Sequence, residues 1–346
     1  MTDPLTSMAL KSVDRRTLLK GTAAAGALGL SLKVPGAVQA QDPLRIAFSI
    51  PSFAFPFFVH MVSLAEQHAE ELGVELIPLD GQEGGQPSST KQTADLEAMI
   101  AQGIDGLVIS PNDAAALVPA IESVIEAGIP VVTVDRNVEE GVPTLAHVGA
   151  DNVEGGRIQA RYLIELFPDG AEIFELQGQP GASAAILRNE GLNEVLEAQD
   201  AVQVIVSQPA AFARADAVRV VEAALASNPD PDAIVCANDD MAFGASEVAI
   251  ANGLDIPIIG FDALPEALIA IQEGRMAATI EQFPGGQASG ALDILVAFLR
   301  DGVEPAEHDT YLTPGLITAD NLGEAERAEE AGIMVEMASP EATPAG

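Results

Sequence analysis

Residues 129–136 read Ile-Pro-Val-Val-Thr-Val-Asp-Arg. The run is short, β-branched and not strictly alternating, which predicts a strand buried on both faces. Its carboxyl end carries Asp135 and Arg136, two groups charged at ordinary pH. In open parallel sheets, ligands settle just beyond the carboxyl ends of the strands. The pair is therefore expected at the polar centre of a ligand cleft. The competing reading is a structural ion pair.

The same grammar extends in both directions. Apolar strand-like runs are expected at Leu44–Ile50, Val74–Asp80, Ile104–Ser110, Thr144–Gly149, Ala171–Gln177, Val202–Ser207, Ala233–Ala237, Ile256–Phe261 and Met276–Ile280, with a last extended piece at Thr310–Thr318. Helices are expected between them, at Phe57–Leu72, Thr93–Ala101, Ala114–Ala127, Val153–Phe167, Ala184–Ala198, Ala213–Ala226, Met241–Asn252, Pro265–Glu273 and Gln287–Arg300. Gly73 is placed to stop the first helix. Strands alternating with helices mean parallel α/β sheets covered on both faces. At 346 residues the chain is comfortable for two domains. A β/α barrel has a compatible length, but the alternation restarts at Asn152, which fits two doubly wound lobes better. The end from Leu322 is acidic and reads as a short helix followed by disorder.

The first forty residues read as an address. Arg15 and Arg16 precede Thr17-Leu18-Leu19-Lys20, a weakly apolar segment reaches Leu32, and Val38-Gln39-Ala40 closes it. This is the order of an export signal, and the paired Arg resembles the twin-arginine type. The mature protein is expected to begin near Gln41 and to work in the periplasm. Beyond Ala40, eleven basic residues face fifty acidic ones. Such a chain repels nucleic acid and anionic lipid. The single Cys236 excludes an intrachain disulfide and reads as a buried thiol.

Several strand ends carry hydrogen-bonding side chains: Asn112, Asp135-Arg136, Asn238-Asp239, Asp262 and Gln282. Carboxylates accept from hydroxyls, amides donate and accept, and Arg donates in a fixed fork. That inventory suits a neutral, hydroxyl-rich ligand. Phe55, Phe57 and Phe58 open a helix, where aromatic faces suit the apolar face of a sugar ring or plain core packing. Asp262 and Asp239-Asp240 also fit helix capping. Other chemistry finds little support. Residues 81–91, GQEGGQPSSTK, lack a Lys directly after the last Gly, so no phosphate loop is present, and no GxSxG occurs. His60 and His68 are a poor metal pair. No cofactor is required by these motifs.

The chain resembles the ribose-type periplasmic sugar-binding proteins of ABC importers. The resemblance is carried by FPFFV (55–59), VVTVDR (131–136), ADNVEGGR (150–157), ELQGQPGASAA (175–185), SQPAAF (207–212), ANDDMAFGA (237–245), IIGFDALPEA (258–267) and AATIEQFP (277–284). It implies the type I periplasmic binding protein fold, with two lobes joined by three crossovers near Gly149–Asp151, Gln282–Gly285 and Tyr311–Pro314. It implies one lobe of 41–150 plus 283–311, another of 151–282 plus 312–321, and a tail of 322–346. The implied sugar-contacting positions are Phe57, Phe58, Asp135, Arg136, Arg188, Phe212, Asn238, Asp262 and Gln282. Arg188 and Phe212 enter through the resemblance alone. At one position the chain departs: Phe55 stands where the ribose binders carry Asn before the Pro. Losing an amide there selects against ligands that place a hydroxyl at that point, so a smaller or differently oriented pentose, a polyol or a less polar sugar derivative is expected.

The implied function is capture by hinge closure without chemistry, with delivery to an importer permease by a monomer. Three other functions compete with this one. A lactose-repressor-type regulator needs a DNA-binding segment where the export signal stands. A sugar-acting enzyme would use Asp135 or Asp262 as a base. The same binding domain could instead feed a chemoreceptor or sensor kinase.

Overall fold

Residues 42–334 are described by a computed structural model. The expected export signal and the last stretch of the acidic tail lie outside the described residues.

The first half of the chain builds one sheet. Strands β1 (Arg45–Ile50), β2 (Glu75–Asp80), β5 (Gly106–Ile109), β6 (Val131–Val134) and β7 (Ala146–Ala150) run parallel in the spatial order β2-β1-β5-β6-β7. A strand from near the carboxyl end, Asp309–Leu312, adds parallel to β7 as the sixth. The quoted stretch is thus an interior strand, and all four residues of β6 are buried. Its one hydroxyl, Thr133 Oγ1, lies 2.9 Å from His147 Nδ1 and donates to Asn137 Oδ1 at 3.0 Å. Helices α1 (Pro56–Leu72), α2 (Ser89–Gln102) and α3 (Val118–Glu126) connect these strands. Gly73 ends α1 in the left-handed conformation, as expected.

Among the boundaries that differ from expectation, two lie in this half of the chain and have a clear local cause. The loop read at 81–90 folds into a hairpin, β3 (Gln82–Glu83) and β4 (Gln86–Pro87), around Gly84 and Gly85 at positive φ. Ser88 then caps α2 by accepting the Lys91 N–H at 3.2 Å, so that helix starts earlier. Helix α3 starts later than Ala114. Asp113 holds the Ala115 and Ala116 N–H groups in a turn, and Pro119 sits in the first helical turn.

From Asn152 the pattern repeats with α4 (Asn152–Leu166), β8 (Ala171–Gln177), α5 (Ser183–Leu196), β9 (Val202–Pro209), α6 (Arg214–Leu225), β10 (Ala233–Cys236), α7 (Asp239–Ala251), β11 (Ile258–Ile259), α8 (Pro265–Gln272) and β12 (Thr279–Glu281). A second parallel sheet forms in the order β11-β10-β8-β9. Helix α9 (Pro284–Asp301) then returns to pack against α1 and the first sheet. The expected last extended piece divides into β13 (Asp309–Leu312), in the first sheet, and β14 (Gly315–Ile317). Strand β14 pairs antiparallel with β12, a departure from the all-parallel expectation. Thr313 and Pro314 make that division, because Pro offers no N–H to continue a ladder.

The chain therefore passes between the two lobes at Ala150–Asn152, at Gln282–Pro284 and at Leu312–Gly315. The expected tail helix is one 3-10 turn, Leu322–Glu324, and the segment after it packs on the body. Leu322, Ala325 and Ala328 are buried. The Glu326 N–H donates to Glu281 Oε2 at 2.8 Å, and Gly285 N–H donates to Glu326 Oε1 at 3.1 Å. The tail thus binds the second crossing.

Candidate functional site

On the six-stranded lobe, Asp135 and Arg136 follow the last residue of β6. Asp135 has φ +60°, uncommon for a residue with a Cβ. The turn is held by its N–H, which donates to the Val148 carbonyl at 2.9 Å, and by Ser110 Oγ, which donates to its carboxylate at 3.3 Å. Arg136 Nε lies 3.8 Å from Asp135 Oδ2, near but not hydrogen-bonded. Arg136 Nη1 is buried and has no partner. Phe55 precedes α1, and Pro56 starts it with the fixed φ that suits a first helical residue. This sets Phe57 and Phe58 in the first turn, edge to face at 5.2 Å.

On the four-stranded lobe, Arg188 stands on the buried face of α5. Its Nε donates to Asn152 at 2.8 Å, its Nη1 to the Ala237 carbonyl at 2.7 Å and its Nη2 to Gln282 Oε1 at 3.1 Å. Its guanidinium lies 3.6 Å from the centroid of the Phe261 ring. Asn238 caps α7 through Oδ1, which accepts the Met241 N–H at 3.0 Å, while its Nδ2 donates to the Phe212 carbonyl at 3.2 Å. Phe212 turns left-handed at φ +59° and lies over Gly178, where a Cβ would collide with the ring. Asp262, at φ +113°, accepts a bond from Gln282 Nε2 at 2.6 Å.

These ten side chains and Ala184 line one cleft between the lobes. All ten are buried. The Arg136 guanidinium reaches 5.4 Å from the Phe58 centroid and 5.2 Å from that of Phe212, on the opposite lobe. Burial raises Asp135 against the opposing pull of Arg136 and Arg188. Burial also raises Asp262, to about 8, against Arg188. It lowers Arg136 to about 10 despite Asp135, and it lowers Arg188 despite Asp262. Each lobe thus supplies one acid and one base of opposed formal charge. With Asp262 lifted to about 8, its carboxyl keeps a proton near neutral pH and can donate as well as accept, so the cleft has acceptors and donors to offer a neutral ligand.

A family model described as "periplasmic binding protein domain" matches residues 46–302. The ribose import binding protein of Bacillus subtilis is 40% identical over 240 residues, 69% of this chain and 76% of its own length. The chain belongs to the ribose-type family of periplasmic sugar-binding proteins. Among solved members of this fold, the Caulobacter myo-inositol binding protein bound to myo-inositol is 40% identical, with a TM-score of 0.79 over 83% of this chain and 97% of that one. A galactofuranose binding protein is 27% identical, with a TM-score of 0.77 over 84% and 97%.

Against the strand-end and capping readings, three residues differ in place or role. Asn112 lies outside the cleft and faces the loop before α5. Asp239, expected as a cap of α7, is fully buried; it accepts bonds from Thr279 Oγ1 at 2.8 Å and from the Leu264 N–H at 2.9 Å. Asn238 performs the capping instead. Asp262 does not cap α8, because its carboxylate is turned to Gln282. Cys236 is buried, as read, and burial holds its thiol well above its ordinary pKa.

Proposed function

We propose that this chain captures a neutral, polyhydroxylated ring compound of pentose to inositol size by closing its lobes over it, and hands it to an ABC import permease. The observation that carries the reading is Arg136 Nη1, a buried donor without a partner, on a side chain that lines a cleft also lined by Asp135, Arg188, Asn238 and Asp262. An unpaired buried donor costs free energy until an acceptor arrives, and a ligand hydroxyl is such an acceptor. The same hydroxyl group donates to a carboxylate, so each carboxylate and guanidinium shares a hydroxyl between them. Phe57, Phe58 and Phe212 supply flat apolar faces for the C–H surface of a ring.

Closure uses the three crossings as a hinge and requires tighter binding to the closed form than to the open one. Phe55 favours a pentose of other orientation or a cyclic polyol over ribose. The 40% identical relative bound to myo-inositol supports the polyol branch. The ligand leaves unchanged, since the cleft contains no nucleophile paired with a base. The export signal at 1–40 sends the chain to the periplasm by the twin-arginine route, where it works as a monomer.

A thermal-shift screen against pentoses, hexoses and cyclitols tests the reading. A bound ligand at a hundredfold excess over its dissociation constant adds about 2.7 kcal/mol. The expected result is a clear rise in Tm with a polyol or non-ribose pentose and full recovery of the ligand. No rise with any member of the panel, or any turnover, refutes it.

A further inference from the structure

Asn112 is the polar strand end that the cleft leaves out, and the structure gives it a different task. Its N–H donates to Gln92 Oε1 at 2.8 Å, and its Nδ2 donates to Ser89 Oγ at 3.1 Å. Gln92 is fully buried and donates to Ser49 Oγ and to the Ser110 carbonyl, each at 3.1 Å. One side chain thus ties β1, β5 and α2 together behind Asn112. A satisfied buried network of this kind is rigid.

From the other lobe, the loop between β8 and α5 comes down on this seat. Gln179 Nε2 donates to Asn112 Oδ1 at 2.7 Å and to the Asn112 carbonyl at 3.0 Å. The Ala114 N–H donates to the Gly181 carbonyl at 2.9 Å. The Asn137 N–H, one residue beyond Arg136, donates to Ser183 Oγ at 2.8 Å. Gly181 lies at φ +84° against the Asp113 carboxylate, so close that a Cβ there would collide with it. None of Asn112, Gln179, Gly181 or Ser183 lines the cleft.

We propose that the Gln179–Ser183 loop is a latch that sets how much of the protein is closed, and thereby sets affinity, while the cleft residues choose the ligand. The proposal rests on capture by closure. The observed affinity is the intrinsic affinity scaled by the fraction of molecules in the binding-competent state. Removing a latch bond lowers that fraction alike for every ligand. Gln179 is then a positioning residue with a distinct signature: uniform weakening and an unchanged rank order.

The test uses Gln179→Ala and Ser183→Ala in the full chain, with two readouts. Small-angle scattering without sugar compares radii of gyration, and calorimetric titration with myo-inositol, ribose and arabinose compares affinities. Both variants are expected to scatter as more open particles, and Gln179→Ala, which loses two bonds, is expected to bind each ligand about tenfold more weakly in the same order. Radii identical to wild type overturn the latch, as does a changed rank order. A wild-type protein that binds none of the three counts against the capture reading, and scattering alone still decides the latch.

Discussion

Gln282 donates to Asp262 at 2.6 Å, and its own main chain is the second crossing between the lobes. Its N–H donates to Glu281 Oε1 at 2.8 Å, and its carbonyl accepts from Gln287 Nε2 at 2.6 Å. The next residue, Phe283, is held at φ +55°. A cleft carboxylate is therefore joined through one side chain to the segment that would turn under the proposed closure. Reorienting that segment moves the hydrogen-bond partner of Asp262. Under the proposed capture, Gln282 would link ligand contact to lobe orientation, a direct physical route for one to bias the other.

The raised acid at this junction makes stability depend on pH. Asp262 has an ordinary value of 3.8 and is lifted to about 8 by burial. Between those values the folded protein keeps a proton that the unfolded chain has released. This stabilisation is complete below about pH 4 and is lost as pH rises through 8. Asp262→Asn preserves an acceptor for Gln282 and cannot ionise. Its Tm is expected to gain on wild type by several degrees between pH 5 and pH 8.5. A difference in Tm that stays constant across that range, measured by differential scanning calorimetry, rejects the assignment.

Asp135 should separate binding from folding. Asp135→Asn keeps the small polar side chain that tolerates φ +60° and removes the charged acceptor. A hydrogen bond to a charged group contributes about 1.5–3 kcal/mol, so affinity should fall roughly 10- to 100-fold. The Tm without ligand should stay within a few degrees, because burying this carboxylate is itself unfavourable. Calorimetric titration and melting on the same sample check both halves, and undiminished affinity removes Asp135 from the site.

Much of this arrangement was legible in the chain because it is local. A buried strand that ends in a charged or amide side chain announces a cleft wall, and this found Asp135, Arg136, Asn238, Asp262 and Gln282. Arg188 needed the family resemblance, yet it carries its own signal. Ala184, Ala185, Arg188, Gly191 and Leu192 share the buried face of α5, and a lone guanidinium in such a stripe is costly unless it has work to do. The left-handed turns at Asp135, Phe212 and Asp262 had no marker, since none of them is glycine. The tertiary frame imposes those conformations. The pairing of β14 with β12 and the seat of Gln179 on Asn112 were equally hidden, because each joins segments far apart in sequence.

His147 gives a pH response of the opposite sign. It is buried on β7, between β6 and the edge strand β13, with Tyr311 at 5.5 Å, and burial lowers it to about 4 against the pull of Asp309. Between pH 4 and 6.5 the unfolded chain binds a proton that the folded protein refuses. Stability therefore drops as pH falls through that window, by ~3 kcal/mol at most from this residue. His147→Gln should flatten the slope of Tm against pH between 6.5 and 4.5 relative to wild type. Parallel slopes for the two proteins would contradict the assignment.

Phe55 is where the ligand preference should be decided. Its ring lines the cleft, is almost fully buried and lies 6.3 Å from that of Phe58. An apolar ring offers no partner to a hydroxyl placed against it, and such a hydroxyl loses its water without replacement. Phe55→Asn restores an amide that both donates and accepts. It also removes buried apolar surface, so Tm will fall and absolute affinities will shift for reasons unrelated to recognition. The informative quantity is the ratio of ribose affinity to myo-inositol affinity. That ratio should rise about tenfold or more, the scale expected when a site gains a hydrogen bond that only one ligand can use. If the ratio holds steady while both affinities fall together, Phe55 acts through packing and the selectivity lies elsewhere in the cleft.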